Sequence, residues 1–153
     1  MTTADVTTVL ATDAETRAAG AALAPLLKPG DVILLDGPLG AGKTTLVRGL
    51  IEALGHVGEV PSPSFAIVQP YDDLPLPLWH ADLYRIVHPS ELAELGLDSI
   101  LHDGVLVVEW PGRAGEGAWP PTALALSLDL TADGARRLTA MPGQGWESRW
   151  PPR

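Results

Sequence analysis

The sequence contains no cysteine and no asparagine among its 153 residues. The absence of cysteine excludes disulfide bonds, zinc sites built from thiolates, and catalysis by a thiol. The absence of asparagine excludes the Asn-Lys-x-Asp motif with which GTPases select guanine. These two absences therefore remove thiol chemistry and guanine selection by that motif before any residue that is present has been considered.

A long apolar run and net positive charge are also missing. No apolar stretch approaches the ~20 residues of a membrane-spanning helix. Residues 1–10 carry an acid and no basic segment, unlike a secretory signal. The formal net charge is −9, and such a field repels polyanions, so a large patch for nucleic-acid phosphates is not expected. Together with the lack of cysteine, these absences predict a cytoplasmic protein without a membrane segment.

A glycine-rich motif at residues 37–44, GPLGAGKT, matches the phosphate-binding pattern G-x-x-x-x-G-K-[ST]. The glycines allow successive backbone N–H groups to turn towards one anion, and the following helix adds its N-terminal N–H groups and dipole. Lys43 suits the β- and γ-phosphates, and the Thr44 hydroxyl suits Mg²⁺. We predict a nucleotide-binding loop with contacts from Gly37, Leu39, Gly40, Ala41, Gly42, Lys43, Thr44 and Thr45.

The segments around this motif predict an α/β fold. The apolar run 31–35 is typical of a buried strand, and a helix with apolar residues at helical spacing follows the motif over 43–54. Further predicted elements are a helix over 12–27, a hairpin of strands 65–69 and 76–83, a short helix from Pro89, a strand over 104–108, and a hairpin of strands 123–130 and 136–141. This order predicts a P-loop NTPase fold, in which a mixed sheet has a parallel centre, antiparallel additions and helices on both faces. We expect one domain over residues 1–153, with 143–153 as a C-terminal tail.

Two acids end predicted strands, where open α/β sheets bind their ligands. Glu109 follows the apolar run Val105–Val108, and Asp82 lies in the segment 79–85. P-loop NTPases use one acid there to hold Mg²⁺ and a second polar group to orient the attacking water. Asp36 also ends a strand but precedes the loop directly, so we assign it a structural role. For His80, a packing role and a role in the site are equally compatible with the sequence.

A proline-rich loop at residues 61–65, PSPSF, is the other chemical candidate. Two prolines stiffen it, and the hydroxyls of Ser62 and Ser64 suit a γ-phosphate or Mg²⁺. A loop that follows the P-loop helix and senses the γ-phosphate acts as a switch. An ordinary proline-rich connector remains an equally good interpretation from spacing alone.

Taken together, these segments resemble the bacterial TsaE family, formerly called YjeE. The resemblance rests on GPLGAGKTT at 37–45, SPSF at 62–65, HADLYR at 80–85 and VEWP at 108–111, in this order, and it extends over about residues 12–128. Members of this family are small P-loop ATPases needed to form threonylcarbamoyladenosine on tRNA. The loop alone is generic, whereas its combination with the other three segments is specific.

The resemblance implies an ATPase that requires Mg²⁺ and acts with TsaB-like and TsaD-like proteins. ATP hydrolysis would reset the complex that modifies adenosine 37 of tRNA, and this subunit would meet the RNA only through that complex. Thr44 and Glu109 would bind Mg²⁺, while Lys43, Asp82 and Glu109 would form the catalytic set. Ser64, where the family usually has Thr, would contact the nucleotide. Arg136 or Arg137 is a candidate for an adenine contact.

Three other functions are compatible with a P-loop. A GTPase is disfavoured because the guanine motif is missing. A small-molecule kinase would close an arginine-bearing lid over the phosphates, and Arg85 and Arg113 are the candidate lid arginines in this sequence. A module that binds ATP only to stabilise its structure would not need Lys43, Asp82 and Glu109 together.

Overall fold

A computed structural model describes residues 6–61, 67–146 and 148–150. Two α-helices and seven strands lie in this part of the chain, and 3₁₀ turns connect several of them. In chain order the regular elements are β1 (Val6–Leu10), α1 (Asp13–Leu23), β2 (Val32–Asp36), α2 (Lys43–Ala53), β3 (Val68–Tyr71), β4 (Leu78–Asp82), β5 (Val105–Glu109), β6 (Leu124–Leu130) and β7 (Arg136–Met141).

The strands form one mixed sheet in the order β1-β7-β6-β2-β5-β4-β3. Strands β6, β2, β5 and β4 are parallel, whereas β1, β7 and β3 pair antiparallel with their neighbours. The strand that leads into the P-loop, β2, therefore lies inside the sheet between β5 and β6. This confirms the predicted parallel centre with antiparallel additions, and it brings the carboxyl ends of β2, β4 and β5 to one edge.

Both α-helices cover one face of the sheet and cross each other closely. A Cβ on Gly20 would lie 1.8 Å from the Leu46 carbonyl oxygen, and one on Gly49 would lie 1.9 Å from the Arg17 carbonyl oxygen. Glycine is thus required at both positions for the backbones to approach. A capping box begins α1, because Thr12 accepts from the Glu15 N–H and the Glu15 carboxylate accepts from the Thr12 N–H.

The opposite face is covered by short 3₁₀ helices, Pro89–Leu95, Leu97–His102 and Pro111–Ala114. Successive residues of β5 face opposite sides, so Val107 packs under the α-helices while Leu106 and Val108 pack under the 3₁₀ helices. Helical segments therefore lie on both faces as expected, although the helix predicted from Pro89 has 3₁₀ rather than α geometry.

Expected and observed elements differ in extent at the first helix and at β3, and β1 lies where the sequence predicts no strand. The predicted helix 12–27 is α-helical only to Leu23 and continues as a 3₁₀ turn, Ala24–Leu26, because Pro25 has no N–H for an α-helical hydrogen bond. Strand β3 is confirmed as the antiparallel partner of β4, but it spans Val68–Tyr71, and part of the predicted 65–69 lies outside the described residues. Strand β1 was not predicted, because its side chains are exposed up to Leu10 and give no alternating pattern.

The described part of the C-terminal segment packs against the domain. Trp146 is buried, and its indole N–H donates to the Thr122 carbonyl at 2.9 Å. Arg149 lies over the Trp146 ring and donates to Asp31 at 2.6 Å. Among the described residues, no helix is long and apolar enough to cross a membrane.

Candidate nucleotide-binding site

The loop between β2 and α2 has the conformation that a phosphate cradle requires. Gly40 and Gly42 have φ of 79° and 101°, a left-handed region in which glycine is favoured. Gly42 is the N-cap of α2 and provides no side chain to accept from the first turn. The N–H groups of Lys43, Thr44 and Thr45 therefore have no acceptor within the helix, and all three residues line a cleft at the loop.

Lys43 lies over its own loop, with its side chain 5% exposed. Its ammonium donates to the Gly37 carbonyl at 2.7 Å and lies 4.0 Å from the centre of the Trp110 ring. Glu109 Oε1 is also 4.0 Å from Lys43 Nζ. Burial lowers the pKa of Lys43, and the carboxylates of Glu109, Asp82 and Asp36 partly oppose that shift.

The two predicted acids lie side by side at the ends of neighbouring parallel strands. Asp82 on β4 is the register partner of Glu109 on β5, and both residues are buried. Asp82 Oδ1 accepts from the Tyr84 N–H at 2.9 Å. Burial raises the pKa of Asp82, and Glu109 adds to that rise, while the Tyr84 hydrogen bond, His80 and Lys43 act against it. Lys43, Asp82 and Glu109 thus lie together at one cleft.

His80 belongs to this cluster, which the sequence left undecided. It is fully buried, and its Nε2 lies 2.6 Å from Glu109 Oε2. The two residues form a diagonal pair, because His80 is the register partner of Val107, two residues before Glu109. The signal that points to this placement is the spacing of His80 and Asp82, which puts both on one face of β4.

Trp110 has a backbone conformation that is unusual for its residue type. Its φ and ψ are 57° and 49°, in the left-handed region, although it carries a large side chain and precedes Pro111. The ring lies 5.0 Å from that of Tyr84 and over Lys43. Strained backbone of this kind is typical of functional sites, and here it directs an aromatic ring into the cleft.

The cleft has a volume of about 450 Å³ and runs from the two acids to the start of α1 and β7. Asp13 and Arg136 line its far end, although the sequence around Asp13 predicts only the start of a helix. Of the two candidate arginines, Arg136 lines the cleft, whereas Arg137 is exposed on β7. The full lining is Asp13, Leu39, Gly40, Gly42, Lys43, Thr44, Thr45, Asp82, Glu109, Trp110 and Arg136.

Two expected contacts, Gly37 and Ala41, are not among the described lining residues. Ala41 is fully buried, and its N–H donates to the Pro38 carbonyl at 3.2 Å, so it shapes the loop from within. Gly37 contributes its carbonyl to Lys43, and a Cβ there would lie 2.3 Å from the Leu128 carbonyl oxygen. Ser64, with the rest of residues 62–66, lies outside the described residues.

The donor set fits Mg²⁺ held jointly with a nucleotide. Within the described ranges, no group of three or more His, Asp or Glu side chains is arranged to hold a metal by itself. Mg²⁺ does not need such a cage, because it takes one or two carboxylates together with substrate phosphates and water. The hydroxyl of Thr44 and the carboxylates of Asp82 and Glu109 line the same cleft and supply oxygen ligands of this kind.

A family model described as "Threonylcarbamoyl adenosine biosynthesis protein TsaE" matches residues 10–138. This range contains the P-loop, both acids, Trp110 and Arg136. The chain belongs to the TsaE family. The match begins at the end of β1 and ends within β7, so the matched range includes every described residue that lines the cleft.

Known proteins are similar to this chain in sequence and in structure. The tRNA threonylcarbamoyladenosine biosynthesis protein TsaE of Bacillus subtilis is 43% identical over 82% of this chain and 78% of its own length. The protein of the same name from Streptomyces coelicolor is 43% identical over 88% of this chain and 93% of its own. The crystal structure of YdiB from Bacillus subtilis matches with a TM-score of 0.79 and 35% identity, over 97% of this chain and 92% of that one.

Proposed function

We propose that this protein is a Mg²⁺-dependent ATPase that supports threonylcarbamoyladenosine formation on tRNA. The observation that carries the proposal is the convergence of Lys43, Asp82 and Glu109 at the mouth of the P-loop. A site that only bound ATP would need the loop and the lysine but would not need two buried carboxylates beside them. Buried carboxylates are unfavourable in an empty protein, so their presence supports chemistry at the γ-phosphate.

The loop residues would bind and orient the triphosphate. The N–H groups at the start of α2 would surround the phosphates, and Lys43 would leave the Gly37 carbonyl to meet the β- and γ-phosphate oxygens. The Thr44 hydroxyl and Glu109 would hold Mg²⁺, which when bound neutralises charge on the β- and γ-phosphates. Asp82 would accept a hydrogen bond from the attacking water, since it lies beside Glu109 and lines the same cleft.

The biological role rests on the family and on charge. The relatives are named for tRNA threonylcarbamoyladenosine biosynthesis. The net charge of −9 disfavours direct binding to the phosphates of tRNA. We propose that the protein acts in a complex with TsaB-like and TsaD-like proteins, and that hydrolysis resets this complex. Because a P-loop enzyme gains about 10³–10⁵ in rate from a group supplied by a partner, we expect slow turnover by the isolated protein.

Phosphate release from ATP by the purified chain tests this proposal. We expect slow release that requires Mg²⁺ and rises when the TsaB-like and TsaD-like proteins of the same organism are added. Lys43→Ala is expected to abolish release, whereas Lys28→Ala, which changes an exposed lysine, serves as the matched control. Unchanged hydrolysis by Lys43→Ala would refute the assignment of the loop. A phosphorylated acceptor in place of free phosphate would instead identify a small-molecule kinase.

A further inference from the structure

His80 is a fully buried ionisable side chain to which the proposed chemistry gives no task. It lies on β4 two residues before Asp82, and therefore on the same face of the strand. Its Nδ1 has no hydrogen-bond partner in the described part of the chain, so its interaction with Glu109 is the polar contact that the structure assigns to it. A polar ring at this depth, with one short contact to a member of the site, points to a role in the site.

The two carboxylate oxygens of Glu109 have different surroundings. Oε2 lies 2.6 Å from His80 Nε2, whereas Oε1 lies 4.0 Å from Lys43 Nζ. We assign the hydrogen of this contact to Nε2, because a carboxylate that is to hold Mg²⁺ can only accept hydrogen bonds. The hydrogen bond from His80 thus holds Oε2 in place, while Oε1 faces Lys43 of the P-loop.

We propose that His80 is a positioning residue that holds Glu109 in the orientation needed for its task at the cleft. This inference rests on the proposed function, because it gives Glu109 the Mg²⁺-binding task stated above. Without the hydrogen bond, the Glu109 carboxylate would turn towards the ammonium of Lys43, which is the nearest opposite charge. The resulting ion pair would compete with phosphate for the lysine and with Mg²⁺ for the carboxylate.

A pair of variants separates positioning from simple filling of the core. His80→Leu keeps a buried side chain and removes the donor, whereas His80→Gln keeps an N–H donor at a similar reach. We expect His80→Leu to lower kcat about 10–100-fold and to raise the Mg²⁺ concentration needed for half-maximal rate, as the loss of a metal ligand's supporting hydrogen bond does elsewhere. ATP affinity is expected to fall less than kcat, because the backbone N–H contacts of the loop remain even when Glu109 competes for Lys43. His80→Gln is expected to recover most of the rate.

Leu78→Ala is the matched control, because it truncates another fully buried side chain of β4 at the end of the strand away from the cleft. It is expected to destabilise the fold while leaving kcat per folded molecule and the Mg²⁺ requirement unchanged. Equal loss of kcat in His80→Leu, His80→Gln and Leu78→Ala would overturn the inference and leave His80 a packing residue. A wild-type kcat in His80→Leu would overturn it as well.

A measurement on the ATP-free protein separates this inference from the proposed function. Because it uses the wild type, it also tests the inference if the His80→Leu protein does not fold. Nitrogen-15 NMR of the full chain should show a protected Nε2–H signal for His80, which shifts and exchanges faster with water in Glu109→Ala. Absence of that signal in the wild type would refute the hydrogen bond even if the enzyme is active. Its presence in a protein that hydrolyses no ATP would refute the proposed function and leave the pairing intact.

Discussion

The side chains buried under α1 and α2 are apolar, whereas those buried at the P-loop edge of the sheet are ionisable. Leu35, Leu46 and Leu50 are at most 1% exposed, and each such side chain stabilises the fold by about 1.5–3 kcal/mol. Lys43, His80, Asp82 and Glu109 are at most 8% exposed, and the burial of ionisable groups opposes folding. The first region stabilises the fold, and the second reduces that stability because it buries ionisable groups.

Helix α2 joins the two regions. Its first residue, Lys43, belongs to the site, while Leu46 and Leu50 on the following turns pack into the apolar region. The close crossing of α1 at Gly20 and Gly49 fixes the position of α2 on the sheet. A rigid apolar region therefore holds the P-loop at a fixed place relative to Asp82 and Glu109, which lie on strands.

The largest expected effect on stability comes from truncation in the apolar region. Leu50→Ala should lower the free energy of unfolding by about 3 kcal/mol, because it removes a fully buried side chain and leaves a cavity. ATP turnover per folded molecule should remain at the wild-type level. Urea unfolding and phosphate release measure the two quantities. Val57→Ala, at a 91% exposed position, is the control and should change stability by less than about 0.5 kcal/mol.

A smaller effect of opposite sign is expected in the ionisable region. Burial raises the pKa of Asp82, so the folded protein favours the protonated form of this side chain. The protonated form therefore contributes to the free energy of unfolding, and the wild type loses this contribution as the pH rises through the raised pKa. Asp82→Asn resembles the protonated acid and still accepts from the Tyr84 N–H. It should stabilise the ATP-free protein by about 1 kcal/mol at pH 7, and this gain should vanish below about pH 4, where the carboxyl is protonated in both states.

Unfolding at the two pH values tests the sign of this effect. Asp31→Asn is the matched control, because Asp31 is paired with Arg149 at 2.6 Å and should lose stability when that ion pair is weakened. Destabilisation of Asp82→Asn at pH 7 would show that the buried acids support the fold, and the contrast between the two regions would then fail.

The smallest expected effect is at the surface. Arg17 on α1 makes two hydrogen bonds to Glu52 on α2, at 2.8 and 2.6 Å, but the Arg17 side chain is 49% exposed. A double-mutant cycle with Arg17→Ala and Glu52→Ala should give a coupling free energy of about 0.5 kcal/mol that shrinks as salt is added. A coupling above about 2 kcal/mol would show that this ion pair, rather than apolar packing, holds α1 on α2.

The sequence predicts the centre of the molecule well, because its signals there are local. The apolar runs of β2 and β5 and the spacing of the glycines and Lys43 each lie within a few residues. The placement of Asp82 and Glu109 also follows, since both end parallel strands and such ends meet at one edge.

The sequence does not predict features that depend on strand register or on packing between segments far apart in the chain, because no local pattern reports them. The contact of His80 with Glu109 requires β4 and β5 to pair in one particular register. Asp13 lies at the cleft only because α1 begins beside the P-loop, and the sequence of α1 gives no sign of that. Strand β1 forms because β7 offers it a partner, and its own exposed side chains give no apolar pattern.

Glu109→Gln tests whether the buried ionisable cluster serves ATP hydrolysis, as we propose. This change keeps the shape of the side chain and an oxygen for His80, but it removes the negative charge. Phosphate release and ATP binding should be measured with Mg²⁺, in the presence of the TsaB-like and TsaD-like proteins. We expect ATP binding within about threefold of the wild type and phosphate release slower by about 100-fold or more. Release at the wild-type rate would contradict this proposal.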